Sequence, residues 1–420
     1  MSSEFEKNLN EYAEVIVKVG LNLQPGQRLL IGAPAFDILG VSIELVPLIR
    51  LIVKKAYQIG ARFVDVMWED DQLSLIRFKH APRDSFKEFP SWRTDEVSKS
   101  AKAGDAILWV TSWNSELLDS QDPNLFSVFF DICLSHYKPL LDLRHKNVMN
   151  HTIVAPPILG WADKLYPNLS QNERIEKLWD IVFEICRVKQ QDPISAWRIH
   201  LNTLRSRCNY LNQKQFKALK FIAPGTNLTI GLPKGHIWRS GGFKTQNGIE
   251  YVGNIPTEEI FTIPHKDKTE GVVVATKPLP AEVMIEDISL TFSKGRVIKA
   301  TAKKGEKFLQ KMIKRDDGAS FLGEVALVPH SSPISKTGMT FYQPLYDENA
   351  SCHLAFGQCL RFCIKDGESM TDEELLDTGC NISGIHLDFM IGSEEMRVDG
   401  ILENGEIEAI LRNGEWAFDF

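Results

Sequence analysis

The stretch Ser383–Ser393, SGIHLDFMIGS, sets an imidazole and a carboxylate two residues apart in an otherwise apolar segment. Ile385, Leu387, Phe389 and Ile391 alternate as one face of a β-strand, which leaves His386, Asp388 and Met390 on the other. Such a pair is either a structural hydrogen bond or part of a site. Three further segments place acids and histidines in apolar or small-residue settings. NIPTEEIFTIPH carries Glu258 and Glu259, FLGEVALVPH carries Glu324, and YDENASCHLAFG carries Asp347, Glu348 and His353. Taken singly, Glu258 and Glu259 read as a solvated helix start and His353 as a satisfied histidine. Glu324 is harder to explain away, because a lone carboxylate among apolar neighbours is costly unless paired or coordinated.

Taken together, two imidazoles and three or four carboxylates are the ligand mix of a divalent metal such as Zn²⁺, Mn²⁺ or Co²⁺. One carboxylate can bridge two ions while an imidazole terminates each side. Ions roughly 3.5–4 Å apart can hold a water between them, lower its pKa and polarise a carbonyl for attack. Cysteine chemistry is a weaker rival. Cys352, Cys359, Cys363 and Cys380 lack the paired C-x-x-C spacing of a structural zinc site. A cysteine nucleophile beside His353 has no positioned base and orienter.

The elements that must position these residues fall into two textures. A chain of 420 residues suggests two domains. In the first half, helix-like segments (EKNLNEYAEVIVKVGLNL, VPLIRLIVKKAYQIGA) alternate with strand-like ones (QRLLIGAP, RFVDVMWED, DAILWVTS). That alternation predicts an α/β N-terminal domain with a largely parallel sheet over residues 1–200. No G-x-G-x-x-G follows any of these strands, so a dinucleotide site is not expected. After residue 200, short β-branched runs alternate with turn signals. LENGEI and LRNGEW carry the Asn-Gly pair that suits a type I′ hairpin. Residues 201–420 should form a mostly antiparallel β (α+β) C-terminal domain that carries the candidate metal ligands, with a polar helix near 201–215 as the bridge.

Composition sets the outer limits. Hydrophobic residues make up 43% and charged residues 25%, as in an ordinary globular protein. A formal net charge of -7 with no basic run gives no footprint for nucleic acid or an anionic membrane. The most apolar window, ILGVSIELVPLIRLIVKK, is interrupted by Glu44, Pro47 and Arg50 and is too broken to span a bilayer. The N-terminus lacks the apolar core of a signal peptide. Seven scattered cysteines argue against a disulfide framework, so a cytoplasmic location is expected.

At GLNLQPGQRLLI, AYQIGARFVDVMWED, FPSW, NIPTEEIFTIP, LGEVALV, DENASCHLAFGQ and IHLDFMIGS, the sequence resembles the thermophilic metalloaminopeptidases of family M29, the aminopeptidase T, S and II type. The resemblance runs over almost the whole chain, and its last four segments together are specific. It implies hydrolysis of N-terminal residues from peptides by two divalent ions (Zn, Co or Mn). The free α-amine would bind one ion and the carbonyl the other. It also implies a homodimer that walls in the active site. The implied metal ligands are Glu259 (with Glu258 adjacent), a bridging Glu324, Glu348, His353, His386 and Asp388, with Glu348 alternatively the proton-shuttling base. One position departs from the pattern. The family carries a tyrosine seven residues after the histidine of DENAS-x-H, and this chain has Leu360. A tyrosine there can donate to a developing oxyanion and leucine cannot, which makes Tyr342 or Tyr346 candidate substitutes. The same departure raises two alternatives: a degenerate member that binds metal or peptide without turnover, and a dinuclear hydrolase of non-peptide amides.

Overall fold

The computed structural model describes residues 3–32, 40–112, 114, 117–118, 120–281 and 283–418. The chain divides into two compact units: Met1–Ile199 with Gly242–Pro256, and His200–Gly241 with Thr257–Phe420. The division falls inside the helix Pro193–Lys214.

The first unit holds a parallel sheet in the order Asn254–Ile255, His151–Val154, Ala106–Val110, Arg28–Ile31, Phe63–Val66. Ala106–Val110 is buried along its whole length, as expected of a central strand covered on both faces. Helices such as Val46–Gln58 and Ser91–Lys102 connect successive strands. A single cut at residue 200 misses the excursion Gly242–Pro256. Its strand Asn254–Ile255 adds to the edge of the sheet beside His151–Val154, and Ile153 N–H donates to Gly253 O at 2.8 Å. Pairing this short is set by distant partners and leaves no local periodicity to read.

The second unit is built on two antiparallel sheets. The larger runs Arg296–Thr301, Ser289–Ser293, Thr269–Val274, Thr226–Gly231, Ala218–Ala223, Arg397–Ile401, Ile407–Arg412, Glu415–Trp416. Its last hairpin turns at Asn413 and Gly414, both at positive φ (52° and 73°), the backbone that the Asn-Gly signal predicts. The smaller sheet runs His386–Met390, His353–Gly357, Leu322–Leu327, Ile260–Thr262, Arg239–Ser240. Leu354, Phe356, Phe389, Val325 and Leu327 project from one face of it into an apolar core shared with Phe221, Leu228, Ile230 and Val398 of the larger sheet.

The register assigns the other face of the smaller sheet to the polar residues. Gly357 pairs with His386, Ala355 with Asp388, and His353 with Met390. Glu324 pairs with Ala355 and Ala326 with His353. Directly opposed residues share a face, so His353, His386, Asp388 and Glu324 all lie on the face away from the core. Ala355 and Gly357 between them are small and buried.

A register shift between Leu322 and Glu324 leaves Gly323 as the extra residue of a bulge. A Cβ at Gly323 would come within 2.3 Å of Gln358 O and 2.4 Å of Gly357 O, closer than carbon and oxygen can approach. Gly323→Ala must therefore push the Leu322–Leu327 strand from its neighbour. We expect a loss of about 1–3 kcal/mol in denaturant unfolding of the metal-free protein, the usual cost of overpacking; an unchanged midpoint and slope would contradict the close approach.

Candidate metal centre

The centre is assembled from four chain segments on one sheet face. Glu324 comes from the middle strand, His353 from its neighbour, and His386 and Asp388 from the edge strand beyond. Glu259 immediately precedes the strand Ile260–Thr262 on the opposite flank of Glu324.

Glu324 lies at the middle, with one carboxylate oxygen toward each histidine. Its Oε1 is 3.7 Å from His353 Nε2 and its Oε2 is 3.2 Å from His386 Nε2. Glu259 Oε2 lies 3.2 Å from His353 Nε2, and Asp388 Oδ1 lies 3.6 Å from His386 Nε2. Two triads result, Glu259–Glu324–His353 and Glu324–His386–Asp388, each with its ligand atoms within 4.8 Å of one another. They share Glu324. The first is closed, with side chains 9% (Glu259) and 1% (His353) exposed; the second opens outward, at 30% for His386 and 21% for Asp388.

Backbone carbonyls fix both imidazoles. His353 Nδ1 lies 3.1 Å from Ser351 O, and His386 Nδ1 lies 2.8 Å from Gln358 O. A carbonyl only accepts, so each Nδ1 carries the proton and each Nε2 faces the carboxylates, the usual orientation of a metal-ligating histidine. Sequence reading missed both carbonyls, since backbone atoms leave no residue-type signal. The Gly-Glu pair in LGEVALV is the one local trace, because Gly323 lets the strand approach Gln358 O.

The electrostatics are those of an acid-rich cluster. Burial pushes the Glu324 carboxyl up, but the neighbouring imidazoles of His353 and His386 outweigh it and hold its pKa at about 2. Burial opposes a charge on His353, yet the adjacent Glu259 and Glu324 carboxylates raise it well above the usual imidazole value. His386 is likewise raised against the effect of burial, to about 10, by the Asp388 charge and its bond to Glu324. Glu259 and Asp388 are both raised, chiefly by burial. Asp388 Oδ1 accepts no hydrogen bond. Three carboxylates around two imidazoles, with one buried oxygen unsatisfied, fit a site for divalent cations.

Glu348 closes the short helix Pro344–Glu348 and stands outside both triads. Its carboxyl nevertheless lies in their field: burial, then the charges of Glu259 and Asp388, raise its pKa well above the usual value. Glu258 is 3.6 Å from His200 Nε2 instead of joining a triad. The Asp347 carboxylate accepts from Phe341 N–H at 2.8 Å and Gln343 N–H at 3.2 Å, closing the turn before the helix. The cysteines form no disulfide, and no cysteine joins a metal-binding group among the described residues. Leu360 is half-buried at the start of the turn Arg361–Cys363, while Tyr346 is fully buried and stacked on Phe341 at 5.3 Å.

The comparisons with known proteins follow this geometry. A family model described as thermophilic metalloprotease (M29) matches residues 5–416. Aminopeptidase 2 of Geobacillus stearothermophilus is 41% identical and aminopeptidase AmpS of Bacillus subtilis 40%, each alignment covering 99% of both chains. The solved structure of wild-type AmpT from Thermus thermophilus superposes with a TM-score of 0.92 at 37% identity, covering 99% of this chain and 100% of that one. The chain belongs to the M29 family of thermophilic metalloproteases.

Proposed function

We propose that this protein is a metalloaminopeptidase that hydrolyses N-terminal residues from peptides at a dinuclear metal site. The observation that carries the reading is the pair of triads sharing Glu324, in a chain whose relatives are named aminopeptidases. Glu259, Glu324 and His353 hold one divalent ion, and Glu324, His386 and Asp388 the other. Zn²⁺, Co²⁺ and Mn²⁺ all suit such imidazole and carboxylate donors. Bound divalent ions supply Lewis acidity toward a peptide carbonyl and lower the pKa of water.

The protein groups do the rest. The open His386–Asp388 side receives the substrate, since its side chains retain access to solvent. Glu348 takes up a proton at its carboxylate and delivers it to the leaving amine. Its place at the end of the helix Pro344–Glu348, within the field of one acid from each triad, supports that role. The residues assigned here to metal and proton handling all belong to the second unit, which supports a catalytic role for the C-terminal half. Cysteines that form no disulfide, and no described helix long and apolar enough to cross a membrane, support a cytoplasmic enzyme, and the family resemblance supports a homodimer.

A second reading has one specific observation behind it. Leu360 stands where the family pattern carries a tyrosine and offers no hydrogen bond to an oxyanion. A chain that holds metal but turns over slowly, or not at all, would follow from that loss.

Three measurements test these readings. Metal analysis of the double variant His386→Ala, Asp388→Ala should show about one ion fewer per chain than wild type, because the shared-carboxylate scheme leaves only the closed triad intact. Unchanged stoichiometry would remove both residues from the ligand set. A dipeptide should be cleaved and its N-acetylated form left intact; equal rates on the two would exclude an exopeptidase that needs a free amine. Leu360→Tyr should raise turnover by about 10²–10³, with a smaller change in KM, if the missing donor limits the rate. A wild type that is already fast, with no gain in the variant, would show that another donor serves. A fully metallated tyrosine variant inert on every peptide would favour the non-catalytic reading.

A further inference from the structure

We infer that Asn349 is a positioning residue of the metal site, its buried carboxamide tying the segment that carries Glu259 to the helix that ends in Glu348. The inference rests on the ligand and proton-shuttle roles proposed for those two glutamates.

Asn349 is fully buried and directly follows the helix Pro344–Glu348. Its Oδ1 accepts the backbone N–H of Glu258 at 2.7 Å, across 91 residues of sequence. Its Nδ2 donates to Leu345 O at 3.0 Å and approaches Glu348 Oε1 at 3.5 Å. Its own carbonyl accepts from Ser332 Oγ at 3.4 Å. One amide therefore faces an N–H at its oxygen end, and a carbonyl and a carboxylate at its nitrogen end.

The chemistry of that arrangement is restrictive. Glu258 lies in the irregular stretch just before the strand Ile260–Thr262, whose pairing begins at Ile260, and its N–H donates to Asn349 Oδ1. A buried N–H without an acceptor is costly, so Asn349 Oδ1 fixes where this stretch runs. The next residue is Glu259, whose carboxylate must reach His353. At the other end Leu345 O, a carbonyl that only accepts, requires a donor. Asparagine supplies an acceptor and two donors at this reach. Aspartate has the same shape but only accepts when ionised; alanine does neither.

A simple helix cap would account for the bond to Leu345 O, four residues back. It would not require the bond to Glu258, which lies in a different segment. That bond makes the residue a strut between two parts of the site rather than a local terminator.

The test uses Asn349→Asp and Asn349→Ala in the full chain, stripped of metal and titrated with cobalt(II). Affinity is read by competition with a chelator, and ligand geometry from the visible absorption bands of the bound ion. Thermal melting of the metal-free forms reports folding separately. Groups that orient metal ligands typically change affinity by about 10–100-fold when removed, and we expect both variants to weaken cobalt binding by that factor and to shift the bands. Asn349→Asp preserves shape and the acceptor toward Glu258, so it decides the matter if the alanine variant does not fold. Folded variants that melt lower but bind cobalt with wild-type affinity and spectrum would overturn the inference and leave Asn349 a cap. Peptide hydrolysis by the wild-type enzyme is measured in parallel. Its absence would sink the aminopeptidase reading without touching the affinity or the spectrum.

Discussion

The site depends on one buried anion. Glu324 stands in the middle strand of the smaller sheet and is held ionised by two imidazoles, one at each carboxylate oxygen. A carboxylate in that place without partners would take up a proton or destabilise the fold. The neighbours supply what it needs in two directions at once. His353 is itself held by Glu259, and His386 by Asp388. The result is a row of alternating acid and imidazole along a sheet face, with the shared acid at its centre.

That row requires histidines that cannot turn. Ser351 O and Gln358 O set their tautomers, and the approach of Gln358 O is possible because residue 323 has no side chain. The small residues Ala355 and Gly357 stand opposite Asp388 and His386 and put no large side chain between the ligands. The sheet divides its labour accordingly: Leu354, Phe356 and Phe389 bury one face, which supplies the stability, and the opposite face is left to carry charge.

Much of this was legible in the sequence, for a physical reason. Strand alternation puts His386 and Asp388 on one face from a single local stretch, and Asn413-Gly414 both take the positive φ of a tight hairpin, whereas at Asn404-Gly405 only the glycine does. What stayed hidden depends on register. Alternation alone cannot say which of Glu258 and Glu259 faces His353 unless the neighbouring strands are aligned; pairing of Phe261 with Ala326, and of Ala326 with His353, puts odd-numbered positions of this strand on the ligand face. Glu259 continues that parity, and Glu258 turns toward His200. The excursion Gly242–Pro256 was hidden for the same cause, since its strand is defined by an edge it joins and not by its own pattern.

The two halves of the site are unequal, and that inequality shapes the chemistry. Glu259 and His353 are enclosed, while His386 and Asp388 keep contact with solvent across the same shared carboxylate. An open triad leaves part of its shell to be completed from outside, which is the geometry expected where a substrate must enter. The charges of Glu259 and Asp388 both act on the Glu348 carboxyl, so one acid from each triad bears on the residue that ends the helix Pro344–Glu348.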